Sequence, residues 1–123
     1  MKQFGELEAV IMDLLWSRGG SATVRDVLDE LQQSRTIAYT TVMTVMDNLH
    51  RKGFLAREKD GRAWRYETVQ SREQYAADLM VEVLEASRDR TGTLVHFLDA
   101  MSGPELRRLR GALTDSPDDA PQP

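Results

Sequence analysis

The chain has no cysteine and only two histidines, His50 and His96. The first absence excludes disulfides, thiolate metal sites and cysteine nucleophiles, and it fits a cytoplasmic protein. The two histidines stand alone, with no second histidine or cysteine at ligand spacing, so no metal site is expected. His50 reads as an exposed helix residue and His96 as a surface or interface residue. Phosphate-binding glycine loops are missing too. The carboxylates fall on the solvent faces of helices without a pocket signature, so neither a catalytic residue nor a cofactor is expected. No uncharged stretch is long enough to cross a bilayer. Glu6 and Glu8 interrupt the N-terminus where a signal sequence would carry its apolar core, so no membrane insertion is expected. There is no internal repeat.

An excess of positive charge is also lacking. The 123 residues carry a net charge of −4, which at first argues against a nucleic-acid partner. The distribution says otherwise. Residues 1–36 hold four basic and six acidic residues, and residues 70–123 hold six basic and ten acidic. Residues 37–69 hold six basic and four acidic, a net charge of +2 in the only positive third of the chain. An acidic protein can bind nucleic acid through one such segment and keep the rest in solvent.

Hydrophobic residues make up 41 % of the chain, in patterns that predict a folded, mainly helical protein. Leu7, Val10, Ile11, Leu14 and Leu15 recur at helical spacing, and Arg18-Gly19-Gly20 ends that first helix. Thr23, with Asp26 three residues on, caps a second helix that buries Val24, Val27, Leu28 and Leu31. A third helix runs from about Ala38 to Lys52, turns Val42, Val45, Met46 and Leu49 inward, and stops at Gly53. The period then changes to two. Residues 54–58 and 63–67 flank Lys59-Asp60-Gly61-Arg62, and Asp-Gly between two such runs signals a hairpin. Trp64 and Tyr66 share one face and are expected to pack on the body, with Arg65 on the other face.

Ser71 and Gln74 form a capping box that opens a long helix from 72 to about 89. A further helix follows a Thr91-Gly92 break, and Ser102 with Glu105 caps a last one, with Pro104 in its first turn. The tail 115–123, with three prolines and no large apolar residue, is expected to be disordered. This places a DNA-binding domain in residues 1–69 and a helical region in 70–114.

Three short helices followed by a hairpin is the order of a winged helix-turn-helix, in which the third helix enters the major groove of double-stranded DNA and the wing lies along the backbone. Thr40, Thr41, Met43 and Thr44 then face base edges, since hydroxyls bond them and methyl groups touch thymine. Thr40 or Thr41 is equally placed to cap the helix instead. Tyr39, Lys59, Arg62 and Arg65 face phosphates. Arg51 and Lys52 do the same or form a solvated helix end. In residues 72–113, Tyr75, Leu79, Met80, Val83, Leu84, Leu94, Phe97, Leu98, Leu106 and Leu109 lie in apolar rows on more than one face, which predicts a homodimer through this region.

The segment AYTTVMTVMDNLHRKGFL, followed by DGRAWRY, resembles the penicillinase repressor family of BlaI and MecI type. Phe4 to Trp16, TVRDVLDEL and LVHFLDAMSGPELRRLRGAL are similar to the same family's first helix, second helix and C-terminal end, so the resemblance spans residues 4–113. It implies a cytoplasmic homodimeric repressor that binds dyad operators with TACA/TGTA-like halves ahead of β-lactam-resistance genes. It also implies relief by a protease downstream of a membrane β-lactam sensor. The bond cut in the best-known members falls on His96–Phe97, with His96 in place of their asparagine. Asn48 stands where many members carry arginine. The residues alone leave open a winged-helix repressor of other targets, or a winged helix used only for protein–protein contact.

Overall fold

The computed structural model describes residues 4–115. They form α1 (Glu6–Ser17), β1 (Ser21–Thr23), α2 (Val24–Leu31), α3 (Tyr39–Arg51), β2 (Leu55–Asp60), β3 (Ala63–Thr68), α4 (Arg72–Ala86), α5 (Arg90–Asp99) and α6 (Gly103–Asp115). The chain divides into two compact units, Met1–Met80 and Val81–Pro123. From residue 116 on, the expected disordered tail lies outside the described residues, while Asp115 closes α6.

The first unit is a winged helix-turn-helix, mainly α with a small antiparallel sheet. Its capping residues are those the local sequence calls for. The Thr23 hydroxyl accepts from the Asp26 N–H at 3.1 Å, and the Thr23 N–H donates to the Asp26 carboxylate at 3.0 Å. That backbone hydrogen bond holds the Asp26 carboxyl below the usual aspartate range. The core is a single cluster. Ile11, Met12 and Leu15 come from α1, four residues from α2, and Val42, Met46 and Leu49 from α3; Ala22, Leu55 and Tyr66 close it from the sheet. Leu7, Val10, Leu14 and Val45 pack at its margin. The stripe of α1 is therefore rotated toward Met12, a residue the periodicity had left out.

The sheet has three strands in the order β1-β3-β2. β1 is an element the sequence did not announce. Gly19 and Gly20, at φ 83° and 89°, reverse the chain and lay Ser21–Thr23 against Glu67–Arg65. The hairpin is tighter than expected. β2 runs through Lys59 to Asp60, which pairs with Ala63, so the turn is Gly61-Arg62, with φ 65° at Gly61 and no positive φ at Arg62. That glycine-first pattern matches a type II′ turn.

The start of α4 belongs to the first unit. Ser71 and Gln74 bond reciprocally at 3.1 Å. Tyr75 stacks on Phe4, with centroids 4.4 Å apart and planes at 10°, beside Trp16 and Phe54. The Trp16 indole N–H donates to the Gln70 carbonyl at 2.8 Å, and Arg72 pairs with Asp13 at 2.5 Å.

In the second unit, α5 begins earlier than expected. Asp89 caps it by accepting from the Gly92 N–H at 3.0 Å. Thr91-Gly92 is thus the first turn of α5, and the break falls at 87–89. Ser102 and Glu105 cap α6 reciprocally at 3.0 and 3.2 Å. No residue of α5 is buried, and the large apolar side chains of α5 and α6 are between 37 % (Leu106) and 64 % (Leu113) exposed. No helix of the described residues is long and apolar enough to cross a membrane.

Candidate nucleic-acid interface

Helix α3 is amphipathic in the sense a recognition helix requires. Val42, Met46 and Leu49 are fully buried. Tyr39, Thr40, Thr41, Met43 and Thr44, on the first turns of the opposite side, are all exposed. The N-cap is Ala38, whose side chain makes no capping bond. Neither Thr40 nor Thr41 caps the helix, and their hydroxyls have no partner among the described residues. Both remain donors and acceptors for something outside the chain. The N-terminus also keeps uncapped N–H groups, which favour a nearby anion.

The wing meets this helix at one cleft. Its walls are Arg25 from α2, Tyr39 and Met43 from α3, and Arg62 and Trp64 from the hairpin. The guanidinium of Arg25 lies 5.4 Å from the Tyr39 ring centre. Arg25 escaped sequence reasoning. Its only signal was an arginine in the solvent-facing first turn of the helix preceding α3.

Trp64 corrects an expectation. It does share a face with Tyr66, but Tyr66 is 2 % exposed and Trp64 37 %. The hairpin extends past the body, so the outer residue of the alternating pair has no core beneath it. Two cations cover the ring instead: Arg57 Cζ at 4.4 Å and Lys59 Nζ at 4.6 Å from its centre. His50 also departs from the expected exposed position. It is half-buried, its Nδ1 is 3.0 Å from the Leu55 carbonyl oxygen, and its ring meets the edge of Tyr66.

The predicted backbone-contacting cations are not alike. Arg62, at the tip of the turn, has no ion pair among the described residues. Lys59 lies over Trp64. Arg65, on the opposite face, binds Asp60 at 3.0 Å and reaches Ser21 at 3.4 Å. Arg51 pairs with Asp47 at 3.2 Å and donates to Asn48 at 2.6 Å. Lys52 is bonded to both oxygens of Glu8, at 2.9 and 2.8 Å, joining the end of α3 to α1. Burial alone would raise the Glu8 carboxyl, but the Lys52 ammonium and the Gly5 N–H outweigh it and hold the group below the usual glutamate range. The face around the cleft thus presents Arg25, Lys59 and Arg62 without carboxylate partners among the described residues, and the remaining cations are partly neutralised at home.

Of the residues expected at a dimer interface, Tyr75, Leu79 and Met80 lie in the first unit. Tyr75 packs there against Phe4, and Leu79 borders the same apolar groove with Val10 and Ala76. Met80 is exposed, as are Val83, Leu94, Phe97, Leu98, Leu106 and Leu109, while Leu84 is half-buried. His96 and Phe97 are both exposed on α5.

Comparison with known proteins places this geometry in a family. The penicillinase repressor family model matches residues 4–115. The chain is 41 % identical over 118 residues to the transcriptional regulator BlaI of Mycobacterium tuberculosis, covering 94 % of this chain and 86 % of that protein. It is 27 % identical over 64 residues to the methicillin resistance regulatory protein MecI of Mammaliicoccus sciuri, covering 52 % of this chain and 51 % of that one. The solved DNA-binding domain of the repressor BlaI superposes with a TM-score of 0.53 at 27 % identity, over 59 % of this chain and 88 % of that one. The chain belongs to the penicillinase repressor family, the BlaI/MecI type of DNA-binding transcriptional repressor.

Proposed function

We propose that this chain represses transcription as a cytoplasmic homodimer on a dyad operator, each N-terminal unit reading one half-site. The observation that carries the reading is the front of α3. Five exposed side chains, two of them threonines at the bare helix start with unpartnered hydroxyls, stand beside a wing tip that carries an unpaired arginine. In this reading Thr40, Thr41, Met43 and Thr44 contact bases, while Tyr39, Arg62 and Lys59, joined by Arg25, contact phosphates. Arg51, Lys52 and Arg65 must exchange or share their carboxylate partners to do so. The solvated Arg51–Asp47 and Arg65–Asp60 pairs hold by only about 0.2–1 kcal/mol, so a phosphate can compete for them, whereas the Glu8 partner of Lys52 is largely withdrawn from solvent and yields less readily.

The homodimer is proposed through the second unit, which includes the end of α4, together with Met80 just before it. Met80, Val83, Leu94, Phe97, Leu98, Leu106 and Leu109 are exposed there, and apolar side chains of this size left in water are what a partner surface would cover. The proposed operator has TACA/TGTA-like halves and lies ahead of β-lactam-resistance genes. Relief comes from a protease, acting downstream of a membrane β-lactam sensor, that cuts near His96–Phe97. Both residues lie within α5, so the helix must open locally before a protease can hold an extended segment across that bond.

The test is footprinting on the chain's own upstream region, with affinity measured across a salt series. The reading expects a protected dyad and a linear fall of log K with log salt. Protein that binds no duplex in a salt-dependent way at any sequence refutes it and leaves the protein–protein adaptor. Nicking an inserted protease site within residues 90–101 is expected to release the operator, and full affinity after nicking refutes the proteolytic step.

A further inference from the structure

Asp47 is out of place on the proposed DNA-binding helix. It is a carboxylate in the second half of α3, in the chain's one basic segment, where it opposes binding to a polyanion. Its surroundings show what it does instead. One oxygen accepts from Arg57 Nη1 at 3.3 Å, and the other pairs with Arg51 at 3.2 Å. Arg57 is on β2, facing Tyr66 across the ladder and Trp64 on the diagonal. The same Nη1 reaches the Tyr66 hydroxyl at 3.4 Å, and the guanidinium carbon lies 4.4 Å from the centre of the Trp64 ring. One planar cation therefore touches three groups: a carboxylate on α3, a core tyrosine on β3 and the exposed tryptophan of the wing. The Arg57 side chain is 28 % exposed and that of Asp47 38 %. Arg57 is thus mostly withdrawn from solvent.

We propose that Arg57 is a positioning residue and, with Asp47, forms a clamp that sets the angle of the wing against α3. It holds Trp64 as one wall of the cleft and carries the Gly61-Arg62 tip to phosphate distance. This rests on the DNA-binding reading above. The chemistry of the site favours this over direct phosphate contact. One nitrogen of the planar guanidinium serves both Asp47 and Tyr66 while its flat face covers Trp64, a combination that a lysine ammonium, a point charge without a face, does not reproduce. A hairpin that extends past the body, held otherwise by its base strands, leaves its tip free to swing unless something on its inner face is tied to the helix. Asp47 is that tie, and its unfavourable charge toward DNA is offset by the order it imposes.

Two variants separate clamp from contact because the alternatives predict opposite signs. Asp47→Ala adds one positive charge beside the DNA, improves helix propensity and frees both Arg51 and Arg57. If charge alone matters, it binds DNA more tightly than wild type. If the clamp matters, it binds more weakly. Arg57→Lys keeps the charge, so a phosphate contact would largely survive, while a clamp would not. The probe is the duplex that the wild-type protein selects from a randomised pool, titrated by fluorescence anisotropy over a range of salt. The expected result is a loss of about tenfold for each variant, the size of one ring–cation contact plus one half-exposed ion pair, with the salt slope unchanged. In the free protein labelled with 5-fluorotryptophan, the Trp64 resonance is expected to move in both variants and that of Trp16 to stay. Asp47→Ala binding as tightly as wild type or more so, Arg57→Lys retaining wild-type affinity, or an unmoved Trp64 resonance overturns the clamp. If the wild type selects no duplex, the DNA reading fails and this inference with it. The fluorine spectrum then still tells whether the tie between α3 and the wing exists.

Discussion

Ending the chain after Val69, at the expected boundary of the DNA-binding domain, should damage the very unit it is meant to isolate, whereas ending it after Met80 should not. Tyr75 stacks on Phe4 at 4.4 Å and lies near Trp16 at 5.7 Å and Phe54 at 5.8 Å. Aromatic pairs of this kind contribute about 0.5–1.5 kcal/mol each beyond their area burial. The residues are only half-buried, so the lower half of that range applies, giving roughly 2 kcal/mol for the three contacts. The exposed Arg72–Asp13 pair adds at most about 1 kcal/mol. Removal of 70–80 also takes the Gln70 carbonyl from the Trp16 indole N–H, leaving a donor beside newly exposed aromatic surface. The shorter fragment should therefore be less stable by about 3 kcal/mol, a large part of what a domain of this size possesses. Urea denaturation of the two fragments, followed by far-UV circular dichroism, measures the difference. Equal midpoints with equal slopes would refute the reasoning, because Tyr75 and Arg72 would then be passengers on the surface of a unit complete without them.

Thr44→Ala and Met43→Ala should relax sequence preference, at about 1–3 kcal/mol where a base contact is lost, while Arg62→Ala should weaken all sequences alike and flatten the salt slope by about one unit; the reverse pattern in competition binding would exchange the roles of helix and wing. Phe97→Asp, which puts a charge on the most bulky exposed apolar side chain of α5, should yield a monomer at micromolar concentration by sedimentation and a salt slope about half that of wild type. The Glu8 carboxyl is depressed in the folded state, so its contribution to stability is present above the ordinary glutamate value and fades as pH falls through the lower folded value. Glu8→Gln should accordingly be less stable at neutral pH and lose less on acidification than wild type, as read from denaturation midpoints across that range.

How much of this was legible in the sequence depended on the range of the interaction involved. Capping is local, and Thr23–Asp26, Ser71–Gln74 and Ser102–Glu105 all appear as their spacing promised. The inward stripe of α3 was equally legible, because one helical period decides it. The hairpin was visible, but its register was not. Asp-Gly suggested the turn centre, yet Asp60 continues the ladder and Gly61-Arg62 makes the turn. β1 left no signal because three residues become a strand only when β3, far downstream, lies beside them. Trp64 was misplaced because alternation tells which face a residue is on and not where the body beneath that face ends. The pairing of Lys52 with Glu8 was invisible for a related reason: a basic helix end looks the same whether it faces solvent or a carboxylate on another helix.

Those hidden pairings bear on why two units should be needed at one operator. The only positive third of the sequence carries six cations, but Arg51, Lys52, Arg57 and Arg65 each meet a carboxylate within the fold. Lys59 and Arg62 remain, and α2 adds Arg25. If each neutralises one phosphate, a single unit has a salt slope near −3, since each contact contributes about −0.9. Binding at that level is weak at physiological salt and carries little of the affinity a repressor requires. In the proposed homodimer, two N-terminal units linked through the C-terminal helices double the contacts. They also hold the second half-site at a high effective concentration once the first is bound. The acidic bulk of the chain and the internal ion pairs limit each unit's affinity for arbitrary DNA, so in that homodimer occupancy is expected to depend on both halves being engaged together. On that proposal, separating the two protomers is expected to empty the operator without a small-molecule effector on the DNA-binding unit.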